Sequence, residues 1–298
     1  MKTLFVSADI HGFYTEYERA LKRAHFDIKN PDHIIVICGD LFDRGKEPIE
    51  LWDFIKSIPV ERRILIRGNH EHLFKAMVDR GYSEPHDEHN GTLGTLHDIN
   101  NFDIEDARHR YYTKLLDVDF NSQEYYNLRD EFNKQCRTPF HSEKTEELID
   151  WFNSDEFKNY FELDNYIFVH SWIPVGQLYE WNQLGYRKAI GSPWYREDWR
   201  NATDWEWEDA TWGCPWQQAL NGLNKTGKMI VCGHWHTSDF FNHLSLGKMK
   251  RKKNLYDCPI FTSKKYGLIG LDACTAGSGK VNVLKIEISD EEWEKWHG

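Results

Sequence analysis

Three short apolar runs rich in β-branched residues, each running straight into a polar loop, constrain the fold of this chain more than any other feature. They are TLFVSADIHG (3–12), HIIVICGDLFDRG (33–45) and RRILIRGNHE (62–71). Each predicts a buried strand, and the amphipathic segments between them, YTEYERALKRAH and EPIELWDFIKSI, predict helices. Strand, helix, strand, helix, strand is the pattern of βαβ units, which build a parallel sheet. Ligands of such sheets bind outside the carboxyl ends of the strands, where all three polar loops fall.

From about residue 73 to 158 the pattern becomes helical and strongly charged; two to four helices are expected there, with a loop at YSEPHDEHNGTLG (82–94). Strands resume at NYIFVHS (165–171), GKMIVCGHWH (227–236), YGLIGLDAC (266–274) and KVNVLKIEI (280–288). The segment 172–216 holds eight of the 13 tryptophans and has no clear periodicity. No repeat, low-complexity segment or linker divides the 298 residues. The expectation is one domain over 1–298, with a helical insert at about 80–158 and a Trp-rich cap insert at about 172–216.

Composition excludes several classes. A chain that is 40% hydrophobic and 15% aromatic is not disordered. Its 37 basic and 48 acidic residues give a charge of −11, which argues against a general nucleic-acid binder, and the basic run KMKRKK (248–253) reads as a solvated loop. No apolar run reaches the roughly 18 residues needed to cross a bilayer, and the start MKTLFVSADIHG turns polar too early for a signal peptide. A cytoplasmic location is expected. Six cysteines without a CxxC pair read as reduced, packed thiols.

The residues able to carry chemistry collect after the strands. Asp9 and His11 follow the first, Asp40, Asp43 and Arg44 the second, and Asn69 and His70 the third. His170, then His234 and His236, follow later ones. Taken singly, each has an ordinary reading: an N-capping Asp beside a surface His, a Gly-bracketed turn with an Asp–Arg pair, a satisfied core His. Five strand ends that all carry carboxylate, imidazole or amide-oxygen donors point instead to one metal site.

In this order and spacing, DIHG, GDLFDRG, RGNHE, VHS and GHWH resemble the calcineurin-like metallophosphoesterase superfamily. The DRG and RGNHE forms are similar to its branch of serine/threonine protein phosphatases and symmetrical dinucleoside tetraphosphatases; GHWH, however, offers two histidines where those protein phosphatases usually have one. The resemblance implies an α/β fold, a four-layer α/β/β/α sandwich with two divalent metals at the strand ends. Asp40 would bridge them, with Asp9, His11 and His236 completing the first position and Asn69, His170 and His234 the second. The mixed oxygen and imidazole set suits manganese foremost, then iron or zinc. His70 resembles the family's general acid, its tautomer fixed by Asp43, and Arg44 is suited to gripping two phosphate oxygens. Arg196 in WYRED looks like a second substrate-binding cation, with Arg67 and Arg200 as competitors.

The activity so implied is hydrolysis of phosphomonoesters by a metal-bridging hydroxide, on the pattern of a serine/threonine protein phosphatase. The alternative is a nucleotide hydrolase of the symmetrical dinucleoside tetraphosphatase type. A phosphorylated protein or nucleotide is then the partner, and no membrane or long nucleic acid is expected. A nuclease acting through KMKRKK ranks lower. So does a non-catalytic scaffold, which predicts lost ligands where all seven are present. Asp272 in LDAC reads as structural or supporting. The Trp-rich segment either packs as a cap or walls a cleft and stacks a base.

Overall fold

The computed structural model describes residues 1–116, 118–120, 122–181, 187–244 and 256–297; the basic run at 248–253 lies outside them. The chain opens as β1 (Lys2–Ser7), α1 (Tyr14–Arg23), β2 (His33–Cys38), α2 (Pro48–Ser57), β3 (Arg63–Ile66) and α3 (Asn69–Arg80). Each predicted strand is therefore only the apolar front of its run; the motif residues lie beyond it.

The helical insert holds α4 (Pro85–Asn90), α5 (Thr92–Ile99), α6 (Ile104–Leu115), α7 (Gln123–Arg137) and α8 (Glu143–Asn153). That is five helices, not two to four, and most of the expected loop at 82–94 is helix. Pro85 at the first turn, the Glu84–Asp87 capping box and left-handed Gly91 at the end hold α4 in place of a loop. Then come β4 (Phe157–Lys158), β5 (Phe161–Glu162) and β6 (Tyr166–Phe168). The Trp-rich segment, aperiodic in sequence, forms the antiparallel hairpin β7 (Gly176–Trp181) and β8 (Arg187–Trp194), then α9 (Asp204–Thr211) and α10 (Pro215–Leu220). The chain continues through β9 (Met229–Cys232), α11 (Thr237–Leu244), β10 (Phe261–Ser263), β11 (Leu268–Gly270) and β12 (Leu284–Ile288).

The strands form two five-stranded sheets, ordered β12-β1-β2-β3-β4 and β10-β11-β9-β6-β5. In the first, β1 to β4 run parallel and β12 is antiparallel at the edge. In the second, β11, β9 and β6 are parallel, flanked by antiparallel β10 and β5.

Alternation along the strands builds the layers. Phe5, Ile35 and Ile37 point into a core shared with Tyr17, Leu51, Phe74 and Leu148 of the helices. Their neighbours Leu4, Val6, Ile34 and Val36 face the other way, into a core that also holds Phe168, Val231 and Ile269 of the second sheet. Ile167, Ile230 and Leu268 fill the far face of that sheet against Trp199, Trp207 and Phe240. Three apolar cores separate four layers: helices, sheet, sheet, helices. Because strands of both sheets are buried on two faces, they read as continuous apolar runs. Their carboxyl ends converge at one edge of the sandwich.

Candidate metal centre

The sharp turns after the strands use left-handed backbone at Asp9 (φ 52°), His11 (φ 54°), Asp40 (φ 56°), Asp43 (φ 76°), Arg44 (φ 69°) and His234 (φ 66°). A non-glycine residue in this region stores strain, and a cluster of them marks a site whose geometry is over-determined by its surroundings. Close approach fixes the glycine of the GHWH motif: a Cβ on Gly233 would stand 1.8 Å from Asp9 Oδ2. Because His234 is left-handed, strand alternation stops at Cys232. Trp235 is then placed by its own contacts, an edge against Trp216, rather than by a strand register.

Two compact groups of donor atoms result: His11, Asp40 and His70, and Asp40, His170 and His234, each with ligand atoms within 4.8 Å of one another. Asp40 belongs to both. Its Oδ1 lies 3.5 Å from His170 Nε2, and its Oδ2 lies 3.8 Å from His11 Nε2 and 3.9 Å from His70 Nε2. Asn69 Oδ1 is 2.8 Å from His170 Nε2, and His234 Nδ1 is 3.2 Å from that same nitrogen. Asp9 accepts from the His234 backbone N–H at 2.9 and 3.0 Å.

The imidazoles are oriented from behind. His11 and His170 each place Nδ1 2.9 Å from a backbone carbonyl, of Phe42 and Cys38 respectively. A carbonyl accepts only from N–H, so both rings present an Nε2 lone pair to the centre. Burial, abetted by Arg44, drives His11 well below the usual imidazole range, and burial beside His170 pushes His234 down to about 3. Burial disfavours a charged Asp40, but His170, His70 and His11 outweigh it and hold this carboxylate ionised. Asp9 goes the other way: burial, then Asp272 and Asp40, raise it. Imidazoles gathered around buried, mutually repelling carboxylates are a donor set that a divalent cation satisfies.

His236 is placed differently from its expected partners. It is 45% exposed, stands 4.0 Å from Asp272 and belongs to neither compact group. Asp272 is buried, accepts from the Cys274 N–H at 2.7 Å, and is one of the charges acting on Asp9.

His70 and Asp43 form a dyad, with Nδ1 2.6 Å from Asp43 Oδ2. Burial opposes the imidazolium, but Asp40 and Asp43 outweigh it and raise the His70 pKa above its usual value. Arg44 caps both rings, 2.7 Å from His11 Nε2 and 3.2 Å from His70 Nε2. Two residues that the sequence did not single out clamp the dyad. Thr92 and Thr95 of α5 donate to the two Asp43 oxygens at 2.8 and 2.7 Å, and Thr95 Oγ1 also accepts from the Asp43 N–H at 3.0 Å. Their signal was a spacing of three on a helix, which puts both on one face but says nothing of what they meet. Glu71, named only as part of RGNHE, accepts from the N–H groups of Gly68, Leu41 and Asp40 at 2.7, 2.9 and 3.2 Å, tying the second and third loops together.

Arg196 is held by Asp198 and Glu206. Of its competitors, Arg67 donates to Phe152 O and Arg200 to Glu162, so both brace the scaffold.

A model of the calcineurin-like phosphoesterase family matches residues 2–238. The chain belongs to that family. The match covers every motif on which the resemblance rested and both inserts. Among curated proteins, it is 31% identical over 90 residues to the symmetrical bis(5'-nucleosyl)-tetraphosphatase of Proteus mirabilis, over 30% of this chain and 32% of that one. The aligned stretch thus spans about a third of the relative's length. Among solved structures, a cold-active protein tyrosine phosphatase aligns at TM-score 0.48 and 14% identity, over 96% of this chain and 74% of that chain. A protein serine/threonine phosphatase from Saccharomyces cerevisiae aligns at TM-score 0.42 and 12% identity, over 97% and 82%. No helix among the described residues is long and apolar enough to cross a membrane.

Proposed function

We propose that this chain is a dinuclear-metal phosphoesterase that hydrolyses phosphomonoesters. The observation that carries the reading is Asp40, a buried carboxylate common to both groups of donors. Two divalent ions bound there, manganese foremost with iron or zinc behind, would supply Lewis-acid charge and an acidified water for in-line displacement at phosphorus.

The residues divide the work. Asp40 would be shared by both ions, Asp9, His11 and His236 would hold the first, and Asn69, His170 and His234 the second. His236 meets the first group through Asp272, the buried carboxylate beside Asp9, from which its Nε2 stands 4.0 Å. Arg44 presents a planar pair of N–H donors to two phosphate oxygens. His70, held at Nδ1 by Asp43 and with Nε2 beside Arg44, would give a proton to the leaving alkoxide. Arg196 could reach a phosphate only by leaving Asp198 and Glu206.

A second reading, a nucleotide hydrolase of the symmetrical dinucleoside tetraphosphatase type, is favoured by the names of the curated relatives. A manganese-supplemented panel tests both: an alkyl phosphate, a phosphopeptide, a phosphodiester and diadenosine tetraphosphate. Phosphate release from the monoesters, abolished by Asp40→Asn, supports the first reading. Cleavage of the tetraphosphate alone supports the second, and no release from any substrate overturns both.

A further inference from the structure

The Trp-rich segment divides its indoles between two tasks. Trp172, Trp199 and Trp207 are buried in the outer core of the second sheet. Trp194, Trp205 and Trp212 instead stay 48%, 53% and 50% exposed and line a cavity of about 740 Å³. Three half-exposed indoles line this one cavity, and a volume of this size is that of a small-molecule site.

The cavity shares a wall with the metal centre. Trp212 lines it and sets its ring edge-on against His234, with centroids 6.1 Å apart. Trp172, two residues after His170, lines it from the strand side, and Gly213 is tied there by Ser171 Oγ donating to its carbonyl at 2.8 Å. A group in the cavity therefore lies beside the second set of donors. The platform is also pinned. The Trp194 indole lies so close over Gly176 that a Cβ there would stand 2.1 Å from Cε2. Trp205 meets Tyr179 edge-on at 6.3 Å.

Charge decides what kind of ring enters. The carboxylates of the lining already accept from partners: Asp198 and Glu206 from Arg196, and Asp209 from the Tyr179 hydroxyl at 2.8 Å. The lining sets one guanidinium against three carboxylates, an excess of negative charge that disfavours a second phosphate, while the indole faces offer stacking to a flat ring.

We propose that this cavity is a nucleobase subsite, so that the substrate is a phosphate ester or anhydride of a nucleoside whose base stacks among Trp194, Trp205 and Trp212. The proposal rests on the phosphoesterase reading and deepens its nucleotide branch. Adenosine, which has no phosphate to hydrolyse, is the probe for binding. Titration should quench the intrinsic tryptophan fluorescence saturably. Trp205→Ala should weaken adenosine about 5- to 150-fold, the range of one base–aromatic stack, and Trp205→Phe should recover most of the loss. In turnover, Trp205→Ala should raise KM for an adenosine phosphate ester by a similar factor while leaving KM for glycerol phosphate unchanged. Absence of saturable quenching, an equal rise for both esters, or a loss confined to a phosphotyrosine peptide would each overturn the subsite. Adenosine binding without hydrolysis of any ester would keep the subsite and remove the phosphoesterase reading instead.

Discussion

Replacing Thr95 by valine separates positioning of the proton donor from metal binding, because Thr95 touches neither donor group directly. Its hydroxyl donates to Asp43 Oδ1 at 2.7 Å and accepts from the Asp43 N–H at 3.0 Å, in a place where Asp43 is 1% exposed. Valine keeps the volume and removes both bonds. A hydrogen bond to a buried charged group contributes about 1.5–3 kcal/mol, and the orphaned N–H adds a further penalty of about 1–3 kcal/mol. Part of this appears as lost stability. If the part held by the Asp43–His70 contact is about 1.5–3 kcal/mol in the transition state, kcat falls about 10- to 150-fold for an ester with a poor leaving group. An ester whose leaving group needs no proton should fall much less. The assay is steady-state turnover of an alkyl and a nitrophenyl phosphate at saturating manganese, with thermal unfolding in parallel. Thr95→Ser keeps the hydroxyl and should restore the alkyl rate. An equal fall for both esters, or no fall at all, refutes the clamp as a positioning device for His70.

Three further outcomes follow from the geometry. Glu71→Gln loses one of the two carboxylate oxygens that take three backbone N–H groups, so it should lower stability by about 1–3 kcal/mol in thermal unfolding; an unchanged Tm contradicts the tie between the two loops. Glu162 is buried under Arg200 and Lys228; burial opposes its charge, but those two cations outweigh it and lower its pKa. A carboxylate with a depressed folded pKa adds stability above its unfolded value of about 4.3, and that stability disappears as pH falls through the folded value. Glu162→Gln should thus be less stable than the parent near neutral pH by about 1–3 kcal/mol, a gap that closes in strong acid; a gap independent of pH contradicts the ion pairs as its source. Finally, manganese at a hundred times its dissociation constant should stabilise the chelated protein by about 2.7 kcal/mol per ion, read as a rise in Tm that EDTA reverses.

What the sequence disclosed follows from burial. β1, β2, β3 and β9 are covered on both faces, so their residues are apolar without interruption and their ends are sharp. The donors Asp9, His11, Asp40, Asn69 and His234 stand just after those ends, and His170 just after β6, which made them readable in sequence. The β7–β8 hairpin carried no such signal, because exposed residues such as Leu178 and Trp194 alternate with nothing regular. α4 was hidden by its own caps, since Pro85 and Gly91 punctuate loops as readily as helix ends. Thr92 and Thr95 were unreadable for a different reason: their partner Asp43 lies about fifty residues earlier, and only the docking of α5 against the second loop brings them together. His236, in the same motif as His234, stands outside the two compact donor groups with its Nε2 4.0 Å from Asp272 Oδ2.

The most direct test of the central claim is elemental analysis of the purified protein beside its phosphate release, for the parent chain and for Asp40→Asn. With Asp40 common to both donor groups, the parent should carry about two divalent ions per chain, and the variant should lose most of that metal together with turnover. A variant that keeps its full metal content, or one that hydrolyses phosphate esters at the parent rate, would contradict the account.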